Sequence, residues 1–122
     1  MLPKQYRLKK RSAFTATYRT GKTLHKDGIT VFYGKKKSGD IQTKIGFVVS
    51  KKIHKRAVKR NRIKRLMRES LRLYIKNSPQ TFDTQYMSLI FVASTKILNK
   101  NFSEINNATN RLLNLLMQGN KN

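Results

Sequence analysis

The sequence predicts a single α/β (α+β) domain, a sheet with helices packed on it. Three observations carry that expectation. Three runs rich in β-branched and aromatic residues read as strands: GITVFYG (28–34), TKIGFVVS (43–50) and YMSLIFVAS (86–94). Between and around them lie segments whose apolar residues recur at helical spacing. The chain of 122 residues suits one domain, residues 1–122, with no internal repeat and no long linker.

The elements follow in order. Ser12 is a candidate N-cap for AFTATYRT, where Ala13, Phe14, Thr17 and Tyr18 share one face. Gly21 stops that short helix. In the first strand Ile29, Val31 and Tyr33 alternate with Thr30 and Phe32. KKKSGD reads as a turn, and its length suggests that residues 43–50 return antiparallel to residues 28–34.

Residues 57–76 make the strongest helix, with Ile63, Leu66, Met67, Ser70, Leu71, Tyr74 and Ile75 on one face. Asn77-Ser78-Pro79 ends it. After the third strand, Ser103 can cap a last helix with Ile105, Ala108, Leu112, Leu115 and Leu116 inward. The order is α-β-β-α-β-α.

The charge points to a partner. There are 28 basic and 5 acidic residues, a formal net charge of +23. Self-repulsion at that density destabilises the compact state, and a polyanion relieves it. Nucleic acid is the leading candidate, because each bound phosphate also releases counterions. An anionic membrane surface is the alternative.

No apolar run approaches the roughly 18 residues of a membrane span. The opening MLPKQYRLKKRSAF lacks the apolar stretch of a secretory signal. It is basic and acid-free, as transit peptides are, but it also reads as the approach to the first helix. A cytoplasmic location is therefore expected.

The helix 57–76 shows how the charge is mounted. With about 100° per residue, Asn61, Arg65, Arg68 and Arg72 fall in one stripe opposite the apolar face. Arg60 and Lys64 flank it on one shoulder and Arg62 on the other. Successive groups stand about 5–6 Å apart on a rigid rod. Arginine gives phosphate planar, bidentate donors. Upstream, Lys51, Lys52, Lys55 and Arg56 crowd the helix N-terminus, where a bound phosphate would satisfy both their charge and the helix dipole.

Catalytic signatures are sparse. Asp27, Asp40, Glu69, Asp83 and Glu104 are scattered, with no pair spaced for a two-metal site. No cysteine is present, which excludes disulfides, thiolate zinc and Cys nucleophiles. No Gly-rich phosphate loop occurs. His25 and His54 sit in loop-like sequence; with a lysine they could form a protein-only ribonuclease site, or they are surface residues. The residues describe an RNA-binding protein that does little chemistry itself. Phe14, Tyr18 and one of Phe32 or Tyr33 could stack unpaired bases, or simply fill the core.

The run GFVVSKKIHKRAVKRNRIKRLMRE (46–69) resembles the bacterial ribonuclease P protein family. Its Ser50-Lys51-Lys52, Ala57-Val58, Arg60-Asn61-Arg62 and Lys64-Arg65 match that family's central motif. The opening YRLKKRSAFTATYRTGK, the strand LIFVAS and the closing helix extend the likeness over nearly the whole chain.

The resemblance implies an α/β sandwich with a mixed sheet and a left-handed βαβ crossover, contrary to the usual hand. It implies a protein that partners a large catalytic RNA, which cuts the 5′ leader from precursor tRNA using RNA-bound Mg²⁺. It implies no catalytic or metal-binding residue in the protein. By position, Arg60, Asn61, Arg62, Lys64, Arg65 and Arg68 match the helix that faces the catalytic RNA. Arg72 of the same stripe, with Lys52 and Arg56 upstream, joins that candidate set. Phe14, Tyr18, Ser50 and Lys51 match the cleft for the single-stranded leader, with Phe32 preferred over Tyr33 as the strand aromatic.

Tyr18 stands where phenylalanine is common. His54 stands in a loop where the family usually has glycine, and would be strained if that position needs φ > 0. A ribosomal or general RNA-binding protein remains the competing reading of the composition.

Overall fold

The computed structural model describes residues 6–35, 43–52, 55–77 and 86–118, with side chains through 116. Three helices and a four-stranded mixed sheet make one domain: α1 (Arg11–Arg19), β1 (Thr23–Lys26), β2 (Ile29–Tyr33), β3 (Lys44–Val48), α2 (Ala57–Lys76), β4 (Ser88–Ala93) and α3 (Phe102–Gln118). A 3-10 turn, Thr95–Ile97, joins β4 to α3.

The helix α1 begins one residue before Ser12. The carbonyl of Lys10 accepts the N–H of Ala13 and of Phe14, at 3.0 and 3.2 Å, so Lys10 is the N-cap, and no side chain caps it. Ser12 is therefore a helical residue and not the cap. Gly21 does end the helix. Its φ of 69° is left-handed, and its N–H reaches the carbonyl of Tyr18.

The strand β1 is an element that the sequence pattern did not reveal. It pairs antiparallel with β2 around a two-residue turn, Asp27-Gly28, with φ of 49° and 93°. Positive φ at both central residues is the hairpin turn that Asp-Gly favours. TLHK is too polar to read as a strand, having one half-buried residue, Leu24.

Residues 28–34 and 43–50 do not pair with each other. The order is β1-β2-β4-β3, with β4 antiparallel to β2 and parallel to β3. β2 already has β1 on one edge. β4 is apolar and buried on both faces, so it takes the central place between β2 and β3. α2 is thus the crossover of a parallel β3-α2-β4 unit.

One sheet face carries Ile29, Val31, Ile45, Leu89, Phe91 and Ala93. It is covered by Ile63, Met67 and Leu71 of α2 and by Ile105, Ala108, Leu112, Leu113 and Leu116 of α3. The predicted bounds and inner face of α2 hold, with Ile63, Met67, Ser70 and Leu71 buried. The N–H of Asn77 closes it on the carbonyl of Leu73 at 3.0 Å; Ser78-Pro79 lie outside the described residues.

For α3 two expectations are corrected. Asn101, not Ser103, caps it. The Asn101 side chain accepts from the N–H of Glu104 at 2.9 Å, and Glu104 accepts from the N–H of Asn101 at 3.2 Å, a reciprocal capping box. Leu115 is 40% exposed, and Thr109 and Leu113 are buried instead. The inner face runs 105, 108, 109, 112, 113, 116, which leaves position 115 on the flank.

The other sheet face carries Thr30, Phe32, Gly46, Val48, Ser88, Ile90 and Val92 by alternation. α1 lies across it, packed on β4 and β2. Ile53 and His54, most of KKKSGD and the tail GNKN are outside the described residues.

Candidate RNA interface

The helix α1 crosses the strands rather than following them. Phe14 sits over β3, where a Cβ on Gly46 would meet its ring carbons at 2.7 Å. Thr17 sits over β4, its hydroxyl bonded to that of Ser88. Tyr18 sits over β2, its ring edge-on to Phe32 with centroids 4.8 Å apart.

The helix covers only part of the face. Thr30, Val48 and Val92 beyond it are half-exposed, as are Phe14 and Phe32, while Tyr18 is 38% exposed. The result is an aromatic wall beside a partly open apolar sheet. Burial pushes the Tyr18 phenol above its ordinary value.

Of the two strand aromatics, Phe32 shares this face. Tyr33 points away, against Tyr86 with centroids 4.7 Å apart. Ser50 and Lys51 follow the end of β3 and are exposed. The Ser50 hydroxyl accepts the N–H of Lys52 at 3.2 Å, which shapes the turn toward α2.

On α2, Asn61, Arg62, Arg65 and Arg68 are exposed, and Arg60 and Lys64 are partly buried. The Arg60 guanidinium donates to the carbonyl of Lys55 at 3.1 Å and so pins the entry loop. Lys52 and Arg56 are exposed before the helix. A groove of about 370 Å³ runs between Asn61, Arg65, Arg68 and Glu69.

Arg72 differs from the rest of its stripe. Its guanidinium grips Glu69, with Nη2 2.6 Å from Oε1 and Nε 3.1 Å from Oε2. The hydrogen bond from Arg72 holds the Glu69 carboxyl below its ordinary range. The stripe therefore contains one internal ion pair, which the (i, i+3) spacing signals.

The three described carboxylates each have a structural partner. Asp27 lies 3.8 Å from Arg111, Glu69 holds Arg72, and Glu104 closes the capping box. His25 is exposed, with Nδ1 2.8 Å from the Thr30 hydroxyl, and His54 lies outside the described residues. Among the described residues, no group of His, Asp and Glu could hold a metal ion.

The family model described as Ribonuclease P matches residues 2–117. The chain belongs to the ribonuclease P protein family. The ribonuclease P protein component of a Synechococcus strain is 33% identical over 115 residues, covering 93% of this chain and 83% of the relative. That of Clostridium kluyveri is 37% identical over 109 residues, covering 88% and 91%.

Among solved structures, the RNase P protein of Staphylococcus aureus superposes with a TM-score of 0.74 at 26% identity, covering 92% of this chain and 97% of that one. The RNase P protein of Thermotoga maritima gives 0.68 at 27%, covering 92% and 96%. The single α+β domain and its mixed sheet are thus those of the family, whose role is processing of the tRNA 5′ end. No helix among the described residues is long and apolar enough to cross a membrane.

Proposed function

We propose that this chain works as the substrate-positioning subunit of a ribonuclease P ribonucleoprotein. The α2 cations Arg60, Asn61's neighbours Arg62 and Lys64, and Arg65 and Arg68 engage the catalytic RNA, with Lys52 and Arg56 adding charge at the helix entry. Phe14, Tyr18 and Phe32, with Ser50 and Lys51 beyond β3, hold the 5′ leader of precursor tRNA as an extended single strand. The RNA subunit performs the phosphodiester hydrolysis with Mg²⁺ held mainly by its own phosphates. The protein screens repulsion between the two RNAs and so lowers the magnesium requirement. Such work belongs in the cytoplasm, where precursor tRNA is made and matured in bacteria.

The observation that carries this reading is the path of α1. It sets Phe14 and Tyr18 over different strands on one face, and Phe14 shares a groove with Arg68 from the cationic side of α2. The engagement of Asp27, Glu69 and Glu104 in structural contacts supports leaving the chemistry to RNA.

The test is Phe14→Ala in the reconstituted holoenzyme. A stacked base is worth about 1–3 kcal/mol, so affinity for leader-bearing precursor should fall about tenfold. Affinity for tRNA without a leader should not change. Equal losses on both substrates would contradict the assignment of this face.

A further inference from the structure

The strand β3 ends the described sheet, and one stretch of its outer edge is open. Lys44 donates its N–H to the carbonyl of Met87 on the β4 side at 3.0 Å. Strand alternation then turns the N–H groups of Gly46 and Val48 toward β4, and the backbone polar groups of Ile45 and Phe47 outward.

The outward carbonyl of Ile45 accepts the N–H of Leu8 at 2.9 Å. Beyond Leu8 the chain departs for α1, while Phe47 still faces out. Phe47 borders a groove of about 280 Å³ that Leu8, Lys9, Phe14, Gly46 and Arg68 also line, and strand alternation turns the Phe47 amide and carbonyl to that edge.

We infer that this groove holds the base and phosphate of one unpaired nucleotide of the leader; this rests on the proposed reading of the chain as a leader-binding protein. The chemistry fits such an occupant. The ring of Phe14 offers apolar surface for a flat group, while the Phe47 ring stacks on Phe91 on the other sheet face. The N–H and C=O of Phe47 offer one donor and one acceptor side by side, which matches the paired acceptor and donor on a base edge. Lys9 and Arg68 are exposed cations for the adjoining phosphate.

A peptide strand added to this edge would need several open residues, and Val49, the next outward position, is buried. Continuity argues the same way. Phe14 belongs to both this groove and the aromatic wall, and Arg68 belongs to both this groove and the α2 groove beside Asn61 and Arg65. A strand lying on Tyr18, Phe32 and Phe14 therefore arrives at Lys9 and Arg68 on its way to the cationic helix.

The experiment uses precursor tRNAs in which a single abasic site is walked along the leader, bound to holoenzyme carrying wild-type protein, Lys9→Glu or Phe14→Ala. Lys9 is exposed, so its variant folds, and thermal unfolding of each protein verifies this. We expect Lys9→Glu to weaken leader-bearing precursor at least fivefold and leaderless tRNA not at all. We also expect one abasic position whose cost shrinks at least threefold both in Lys9→Glu and in Phe14→Ala.

Leader-specific loss with Phe14→Ala but none with Lys9→Glu would overturn the groove and leave the leader reading standing. Equal loss with Lys9→Glu on both substrates would overturn the groove as well. Indifference of the wild-type complex to the leader would overturn both.

Discussion

The Phe14 ring rests on the backbone of Gly46, so close that a methyl group there would stand 2.7 Å from Cε1 and Cζ of the ring. Only a residue without a side chain lets α1 approach β3 this far. Because Gly46 is buried within a strand, the ring would have to move to admit a Cβ. Gly46→Ala should therefore destabilise the protein by about 1–3 kcal/mol in urea unfolding. It should also weaken leader binding several-fold while sparing catalytic-RNA binding, although it removes no contact. A neutral Gly46→Ala would show that the contact does not position Phe14.

The next contact along α1 is polar and buried. Thr17 donates its hydroxyl proton to the carbonyl of Ala13 at 2.8 Å. A hydroxyl has one proton, so in its bond with Ser88 the serine is the donor. Ser88→Ala leaves Thr17 satisfied and should cost about 0.5–1.5 kcal/mol. Thr17→Val strands the Ser88 hydroxyl and should cost more, about 1–3 kcal/mol. Denaturation of the two single variants and the double variant checks the ranking; a larger cost for Ser88→Ala would contradict the donor assignment.

Glu69 occupies a guanidinium that could otherwise meet RNA. Glu69→Gln should raise affinity for the catalytic RNA a few-fold and steepen its salt dependence, by up to about one unit of slope. The pair is also a pH statement. Arg72 lowers the Glu69 pKa, so whatever stability the pair adds is present above the ordinary carboxylate value and is lost as pH falls through the lowered one. The difference in melting temperature between wild type and Glu69→Gln should therefore be constant from pH 7 to pH 5 and shrink only in stronger acid.

Arg65 is exposed in the same stripe, and neither the Arg72–Glu69 nor the Arg111–Asp27 ion pair involves it. Arg65→Ala should weaken catalytic-RNA binding and reduce the salt slope by about one. Arg72→Ala should do less, because that guanidinium is already engaged by Glu69 and is not free for a phosphate. Filter binding across a salt series distinguishes them; identical slopes for the two variants would contradict the division of the stripe.

Much of this architecture is legible in the sequence, and the misses have physical causes. The helix α2 is readable in the sequence because its apolar period, from Ile63 to Ile75, persists over more than three turns. The strand β1 was missed because TLHK is mostly exposed; the informative residues were Asp27-Gly28, whose turn demands a hairpin. Strand pairing could not be read from chain order. It follows from which strand is buried on both faces, and the unbroken apolar run LIFVA was the available clue. Asn101 outcompeted Ser103 as the cap because Glu104 stands three residues after it.

The cationic face of α2 and the aromatics of α1 were visible as candidates, and alternation against β4 decides between Phe32 and Tyr33 as the neighbour of Tyr18. The groove at Phe47 was not visible. It depends on residues 7–9 lying along β3, a contact across almost forty positions that no local pattern encodes.

The most direct test of the central claim is cleavage of a 5′-leader precursor tRNA at low millimolar magnesium. Protein alone, catalytic RNA alone and the two together are compared. Cleavage at the mature 5′ end only in the combined reaction is the predicted result, with the RNA alone recovering activity as magnesium is raised. Cleavage by the protein alone would contradict the account and return attention to His25 and His54.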